Sequence, residues 1–80
     1  MSQNIENALA MLEGFGKTMG DDELLATFRA KTGAGLHFRN GVSELSYCGV
    51  KGTATSGSSR ELLGSWSRAA RLRLARKAGA

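Results

Sequence analysis

The apolar and polar positions of the chain follow two different repeating patterns. Within residues 3–19 and 22–32, apolar side chains recur at spacings of three and four, as on one face of an amphipathic helix. Within residues 35–55 they alternate with polar side chains, as in half-buried strands. From Ser58 onward the helical spacing returns. The pattern predicts an α+β fold with two N-terminal helices, a β-hairpin or small three-stranded antiparallel sheet, and a C-terminal basic amphipathic helix.

Polar and glycine residues mark the expected ends of the first two helices. Ser2 is the expected N-cap of the first helix. Gly14 and Gly16 weaken its last turns, so the helix is expected to fray or end near Gly14, and Gly20 closes it in any case. Asp21 or Asp22 is expected to cap the second helix, because a carboxylate can accept a hydrogen bond from a free amide of the first turn. Gly33 is expected to end this helix in the left-handed conformation.

The dipeptide Asn40-Gly41 lies between two short alternating runs and predicts a two-residue hairpin turn, because both residue types tolerate a positive φ. The turn fixes a register in which Arg39 pairs with Val42, Phe38 with Ser43, His37 with Glu44 and Leu36 with Leu45. The residues that then share a face and are expected to be buried are Leu36, Phe38, Leu45 and Tyr47. The aromatic side chains expected to be buried by their spacing are Phe15, Phe28, Phe38, Tyr47 and Trp66.

A third strand is expected over roughly Val50–Thr55, directly after Gly49. Gly52 is unfavourable within it, because glycine weakens the interior of a strand. Cys48, just before Gly49, is interpreted as a half-buried strand residue on the same side of the sheet as His37.

The last helix is the most informative element. Ser58 with Glu61 three residues later fits a capping box, and the helix is expected to run to about Ala75 or Lys77. One apolar sector of this helix contains Leu62, Leu63, Trp66, Ala69, Ala70 and Leu74.

Basic side chains occupy the rest of the last helix. Arg60, Arg68 and Arg71 fall opposite the apolar sector, whereas Arg73 and Lys77 fall within it. This break in the pattern predicts that the end of the helix extends beyond the body of the protein.

The charge of the 80-residue chain is distributed unevenly along its length. The net charge is +4, yet residues 1–57 carry five basic and six acidic side chains, whereas residues 58–80 carry six basic side chains and Glu61. A one-sided positive field of this kind attracts polyanions such as nucleic acid or an acidic protein surface.

The leading hypothesis is a non-catalytic protein that binds nucleic-acid phosphates. The residues expected to contact the partner are Arg60, Arg68, Arg71, Arg73, Arg76 and Lys77 of the last helix. Arg39 and Lys51 would be secondary contacts if the hairpin and the last helix form one basic surface. The alternative is a protein-interaction module, an inhibitor or regulator that docks on an acidic or nucleic-acid-binding surface of a larger complex. A homodimer formed through an unpaired edge of the sheet is a third hypothesis.

The residue types that carry catalysis are scarce. The chain has one histidine, His37, and one cysteine, Cys48, so it can form neither an internal disulfide nor a cysteine-based zinc site. In the predicted register His37 lies opposite Glu44 rather than Cys48, which argues against a catalytic pair. We therefore expect no enzymatic activity, no cofactor and no bound metal.

The length and hydropathy of the chain favour one cytoplasmic domain over residues 1–80. No apolar run approaches the roughly 18–20 residues that a membrane span needs. In size and in the lack of a catalytic set, the chain resembles the small accessory proteins carried by phages and other mobile elements.

Overall fold

A computed structural model describes residues 2–55 and 57–79, with side chains described for residues 4–55 and 57–76. In chain order the elements are α1 (Ser2–Gly16), α2 (Asp21–Thr32), β1 (Gly35–Arg39), β2 (Val42–Tyr47), β3 (Val50–Ala54) and α3 (Ser59–Gly79). The predicted order is confirmed, including the third strand.

The helix α1 ends at Gly16, between the early end expected near Gly14 and the closure expected at Gly20. The chain makes one further turn, in which the amides of Thr18 and Met19 both donate to the carbonyl oxygen of Phe15, at 3.1 and 2.9 Å. Glycine in the last turn weakens the helix there. The side chain of the expected N-cap, Ser2, lies outside the described residues.

The cap predicted for α2 is wrong, because Gly20 is the N-cap and no side-chain hydrogen bond caps the helix. Asp21 and Asp22 are already helical residues, and the amide of Leu24 donates to the carbonyl oxygen of Gly20 at 2.8 Å. Asp22 accepts a hydrogen bond from the hydroxyl of Ser59 instead, at 2.5 Å. The carboxylates near this positive helix end still complement its dipole, and Asp22 also joins the starts of α2 and α3.

The end of α2 agrees with the prediction. Gly33 adopts a left-handed conformation with φ of 74°, and its amide donates to the carbonyl oxygen of Arg29 at 2.8 Å. The next residue, Ala34, is also fixed to the helix. Its amide donates to the hydroxyl of Thr32 at 3.2 Å, and its carbonyl oxygen accepts from Nε of Arg29 at 3.4 Å.

The sheet is antiparallel with the strand order β1-β2-β3. Its first turn is the predicted one, since Asn40 and Gly41 both have positive φ, at 52° and 78°. The predicted register is confirmed at each pair, from Arg39 opposite Val42 to Leu36 opposite Leu45.

A second two-residue turn joins β2 to β3 and corrects the interpretation of Cys48 as a strand residue. Cys48 and Gly49 have φ of 53° and 75°, and Tyr47 pairs directly with Val50 across the turn. A turn in which both central residues have positive φ matches the twist of the strands that flank it. Cysteine is not a typical residue for that conformation, which is why the sequence signal was weak.

The core lies between the three helices and one face of the sheet. Its fully buried large side chains are Trp66, Phe28 and Leu45, and the rings of Phe28 and Trp66 have centroids 5.2 Å apart. The indole nitrogen of Trp66 donates to the carbonyl oxygen of Val50 at 3.1 Å. The one polar group of this buried side chain therefore has a hydrogen-bond partner. Leu36 and Tyr47 are half-buried against this cluster, as predicted.

Gly52 explains how closely α3 approaches β3. A β-carbon on Gly52 would lie 2.3 Å from the backbone nitrogen of Trp66 and 2.6 Å from its α-carbon. The glycine that makes β3 unfavourable by propensity is therefore what allows the helix to pack on the strand.

Phe38 is not buried, contrary to the prediction, since its side chain is 74% exposed. The register that places it on the core face is correct, and its partner on β2, Ser43, is buried. The reason is tertiary: α3 lies across β3 and β2, and the turn end of β1 remains uncovered.

Candidate functional site

The start of α3 is fixed by the predicted cap. The hydroxyl oxygen of Ser58 accepts a hydrogen bond from the amide of Glu61 at 3.4 Å, and its carbonyl oxygen accepts from the amide of Leu62 at 3.0 Å. From Ser59 the helix continues to Gly79, beyond the end that the sequence predicts.

The inner side of α3 is the predicted apolar sector. Leu62, Leu63, Trp66 and Ala70 are buried, and Ala69 and Leu74 are partly buried against them. This packing fixes the helix on the sheet and thereby determines which arginines face away from it.

Arg73 contacts the sheet, contrary to the expectation that the helix extends beyond the body of the protein at this residue. Its guanidinium donates from Nη1 to the carbonyl oxygen of Gly49 at 2.8 Å, in the turn between β2 and β3. Although Arg73 falls in the apolar sector, its long side chain reaches the turn while staying exposed to water. The side chain of Lys77 lies outside the described residues.

Arg71 forms an ion pair with Glu13 of α1, at 3.4 Å between Nη2 and Oε1. The two side chains are 59% and 70% exposed, and an ion pair between groups so exposed to water contributes little to stability. Arg71 is therefore still available to an anionic partner.

The remaining arginines of α3 have no such role in the fold. Arg60, Arg68 and Arg76 are exposed and make no hydrogen bond or ion pair with another described residue. They are spaced eight residues apart, which is about 12 Å along a helix and about 80° around it, so they form a spiral over its exposed surface. We name the set of exposed residues Arg60, Arg68, Arg71, Leu72 and Arg76 the α3 outer face.

Leu72 is the residue that the sequence interpretation missed. It is 60% exposed and follows Arg68 and precedes Arg76 at spacings of four, so the three side chains are neighbours on the helix surface. The helical spacing contains the signal, since Leu72 falls outside the apolar sector of α3.

Arg39 and Lys51 belong to a different surface. They lie on the side of the sheet opposite α3 and line an open groove of about 580 Å³. The residues that line this sheet groove are His37, Phe38, Arg39, Asn40, Val42, Glu44 and Lys51. The hypothesis of one basic surface shared by the hairpin and α3 is therefore wrong, because the sheet separates the two.

His37 and Cys48 do not come together. His37 pairs with Glu44 near the middle of β2, whereas Cys48 lies in the turn that follows Tyr47. The adjacent side chain of Cys48 raises the pKa of the Tyr47 hydroxyl above its ordinary value, and burial adds to this. Within the part of the chain that is described, no three His, Cys, Asp or Glu side chains are grouped so that they could hold a metal ion.

No described helix combines the length and apolar character needed to cross a membrane. Comparison of the chain with models of protein families, with curated proteins and with solved structures found no match.

Proposed function

We propose that this chain is a non-catalytic binding protein whose α3 outer face contacts the phosphate groups of nucleic acid. The proposal rests on one observation. Arg60, Arg68 and Arg76 are exposed and make no hydrogen bond or ion pair with another described residue. Arginine suits this task, because its planar guanidinium can donate two parallel hydrogen bonds to one phosphate.

The number of available arginines sets the expected strength of binding. Four guanidinium groups, with Arg71 included, would neutralise about four phosphates, so the logarithm of affinity should fall with the logarithm of salt concentration at a slope of about −3 to −4. Contacts of this kind are made to the backbone and are independent of base sequence. We therefore expect weak binding that depends strongly on salt and tolerates many sequences.

The test is fluorescence anisotropy of labelled duplex DNA, duplex RNA and single-stranded DNA, titrated with the purified chain at several salt concentrations. The double variant R68E/R76E should reduce affinity at low salt at least tenfold, because two attractions become repulsions. The matched control R39E/K51E changes the net charge by the same amount in the sheet groove and should retain most of the affinity.

The two variants also separate a specific surface from a general effect of charge. Equal losses from R68E/R76E and R39E/K51E would mean that only the net charge matters. Absence of binding to all three nucleic acids at low salt, or binding that does not change with salt, would contradict the proposal.

A second candidate function is the docking of an acidic protein through the same helix face. Leu72 favours it, because a large apolar side chain that is 60% exposed between arginines contributes nothing to phosphate contacts but can fill a recess in a protein partner. The discriminating variant is L72S, which removes the apolar side chain without changing the charge beside Arg68 and Arg76. It should leave nucleic-acid affinity within about threefold of the unsubstituted chain, whereas it should abolish a complex that forms in nuclease-treated lysate and is also lost in R68E/R76E.

A further inference from the structure

The outer edge of β1 offers unpaired backbone groups. Arg39 and Val42 flank a two-residue turn and so exchange hydrogen bonds, and the bonded and non-bonded pairs alternate from there. Leu36 and Phe38 belong to the non-bonded pairs, and their amide and carbonyl groups therefore point away from β2. Neither residue has another hydrogen-bond partner in the described part of the chain.

This edge has defined limits at both ends. On one side the amide and the carbonyl oxygen of Ala34 are already bonded to Thr32 and Arg29 of α2. On the other side the chain turns away at Asn40. The free edge is therefore the length of β1 itself, Gly35–Arg39.

β1 also lacks most of the features that protect an edge strand from pairing. It contains no proline or bulge, and Arg39 is its only side chain with a permanent charge. Phe38 exposes 74% of its side chain on the same strand. An aromatic side chain beside free backbone donors and acceptors is a ready site for another strand.

We propose that a second copy of this chain pairs with β1 in antiparallel orientation, so that two three-stranded sheets become one six-stranded sheet. Full overlap of the two strands allows one register, with His37 opposite His37 of the second copy. In that register Leu36 lies opposite Phe38 of the second copy. Both residues have outward backbone groups, so each such pair can exchange two hydrogen bonds.

The side chains of β1 complement themselves in this arrangement, which favours a second copy over an unrelated strand. Phe38 packs beside the aliphatic Leu36 of the second copy, an aromatic–aliphatic cross-strand pair. Arg39 lies opposite Gly35, so the permanent charges of the two strands do not face each other. His37 meets its equivalent with Glu44 beside it on the adjacent strand of its own chain.

The size of the interface sets the expected affinity. One five-residue strand from each copy buries less than the roughly 1,200–2,000 Å² of a standard stable interface. The dimer should therefore form at micromolar concentrations and dissociate on dilution. α3 packs on β3 and β2 through its apolar side, and its outer face points away from the sheet, so dimerisation does not depend on the proposed contact with nucleic acid.

Sedimentation of the full chain without nucleic acid tests the association itself. The mass should rise from 8.4 kDa toward twice that value between low and high micromolar concentrations. The variant F38K should remain monomeric, because it replaces the exposed apolar contact with a charge that opposes edge pairing. The matched control is L72K, which removes the other described large apolar side chain that is exposed and should leave the association unchanged.

Oxidative cross-linking tests the register. In H37C/C48S the two introduced thiols lie on α-carbons about 4.5 Å apart across the twofold axis, within the range of a disulfide. In R39C/C48S the equivalent α-carbons are separated by four residue steps, about 13 Å, which is too far. Treatment with copper phenanthroline should give a dimer of the first variant and leave the second monomeric.

Three results would overturn the proposal. The first is a mass that stays at 8.4 kDa up to high micromolar concentration. The second is equal loss of association in F38K and L72K, and the third is cross-linking of R39C/C48S as efficient as that of H37C/C48S. Because Phe38 and His37 are both exposed, their variants should keep the thermal unfolding midpoint of the monomer, which circular dichroism would verify.

Discussion

The two outer strands of the sheet, β3 and β1, differ in whether the rest of the chain covers them. The free edge of β3 is bonded to α3, since the amide of Thr53 donates to the hydroxyl of Ser65 at 3.0 Å. The helix also packs so closely there that Gly52 has no room for a β-carbon. No comparable contact covers the described side chain of Phe38 on β1, which is exposed to water.

This difference separates stability from association. The β3 edge is held by buried apolar packing and hydrogen bonds, the interactions that contribute most to folding free energy. The β1 edge retains its backbone donors and acceptors, which are the groups that recruit another strand. Substitutions at the β3 edge should therefore change unfolding, whereas substitutions at the β1 edge should change assembly.

The largest expected effect comes from one methyl group at the contact between β3 and α3. Gly52→Ala would place a β-carbon 2.3 Å from a backbone nitrogen of Trp66, and the helix backbone cannot move aside as a flexible side chain could. We expect a loss of about 3 kcal/mol or more in the free energy of unfolding. That is a large share of the roughly 5–15 kcal/mol typical of a small domain. Urea denaturation followed by circular dichroism measures it.

The matched control is Gly35→Ala on the opposite outer strand. Its β-carbon would meet the hydroxyl oxygen of Ser46 at 3.2 Å and the ring of His37 at 3.4 Å, and both side chains can rotate away. The free energy of unfolding should change by less than about 1 kcal/mol. Similar losses at Gly35 and Gly52 would show that the two edges do not differ as the packing indicates.

The same contrast explains how much of the fold the sequence could predict. The Asn40-Gly41 turn and the register of β1 against β2 follow from local chemistry, because few residue types adopt both positive φ values. The exposure of Phe38 could not be predicted from local pattern, since alternation assigns a residue to a face but does not say which part of that face a helix covers. The need for glycine at position 52 comes from the backbone of Trp66, a contact between distant residues that local pattern does not contain.

The candidate site shows the same limit. Net charge and helical spacing identify the basic helix, and they place Arg68 and Arg71 on its outer side. They could not separate the arginines that serve the fold from those that remain available. The role of Arg73 depends on a turn at Gly49 that lies 24 positions earlier in the chain, and local pattern contains no information about such a contact.

A smaller effect is expected where Arg73 holds the turn between β2 and β3. Arg73→Met keeps most of the aliphatic length but removes the hydrogen bond to the carbonyl oxygen of Gly49. Because the bond is exposed, the free energy of unfolding should fall by about 1 kcal/mol. Arg68→Met removes the same charge from a side chain without a described partner and should change it by less than about 0.5 kcal/mol. Equal effects in urea denaturation would show that the contact with Gly49 contributes nothing.

The smallest expected change in the free energy of unfolding concerns Tyr47, beside the same turn, and appears when the pH is raised. The adjacent side chain of Cys48, together with burial, raises the pKa of the Tyr47 hydroxyl above 10.0, so the folded chain holds this proton more tightly than the unfolded chain does. The resulting contribution to stability is complete below pH 10.0 and is lost as the pH rises through the higher pKa of the folded state. Tyr47→Phe keeps the ring but has no proton to lose. Between about pH 8 and 11 the stability of the unsubstituted chain should fall more than that of Y47F in urea denaturation. Parallel curves for the two proteins would mean that folding does not raise the pKa of Tyr47.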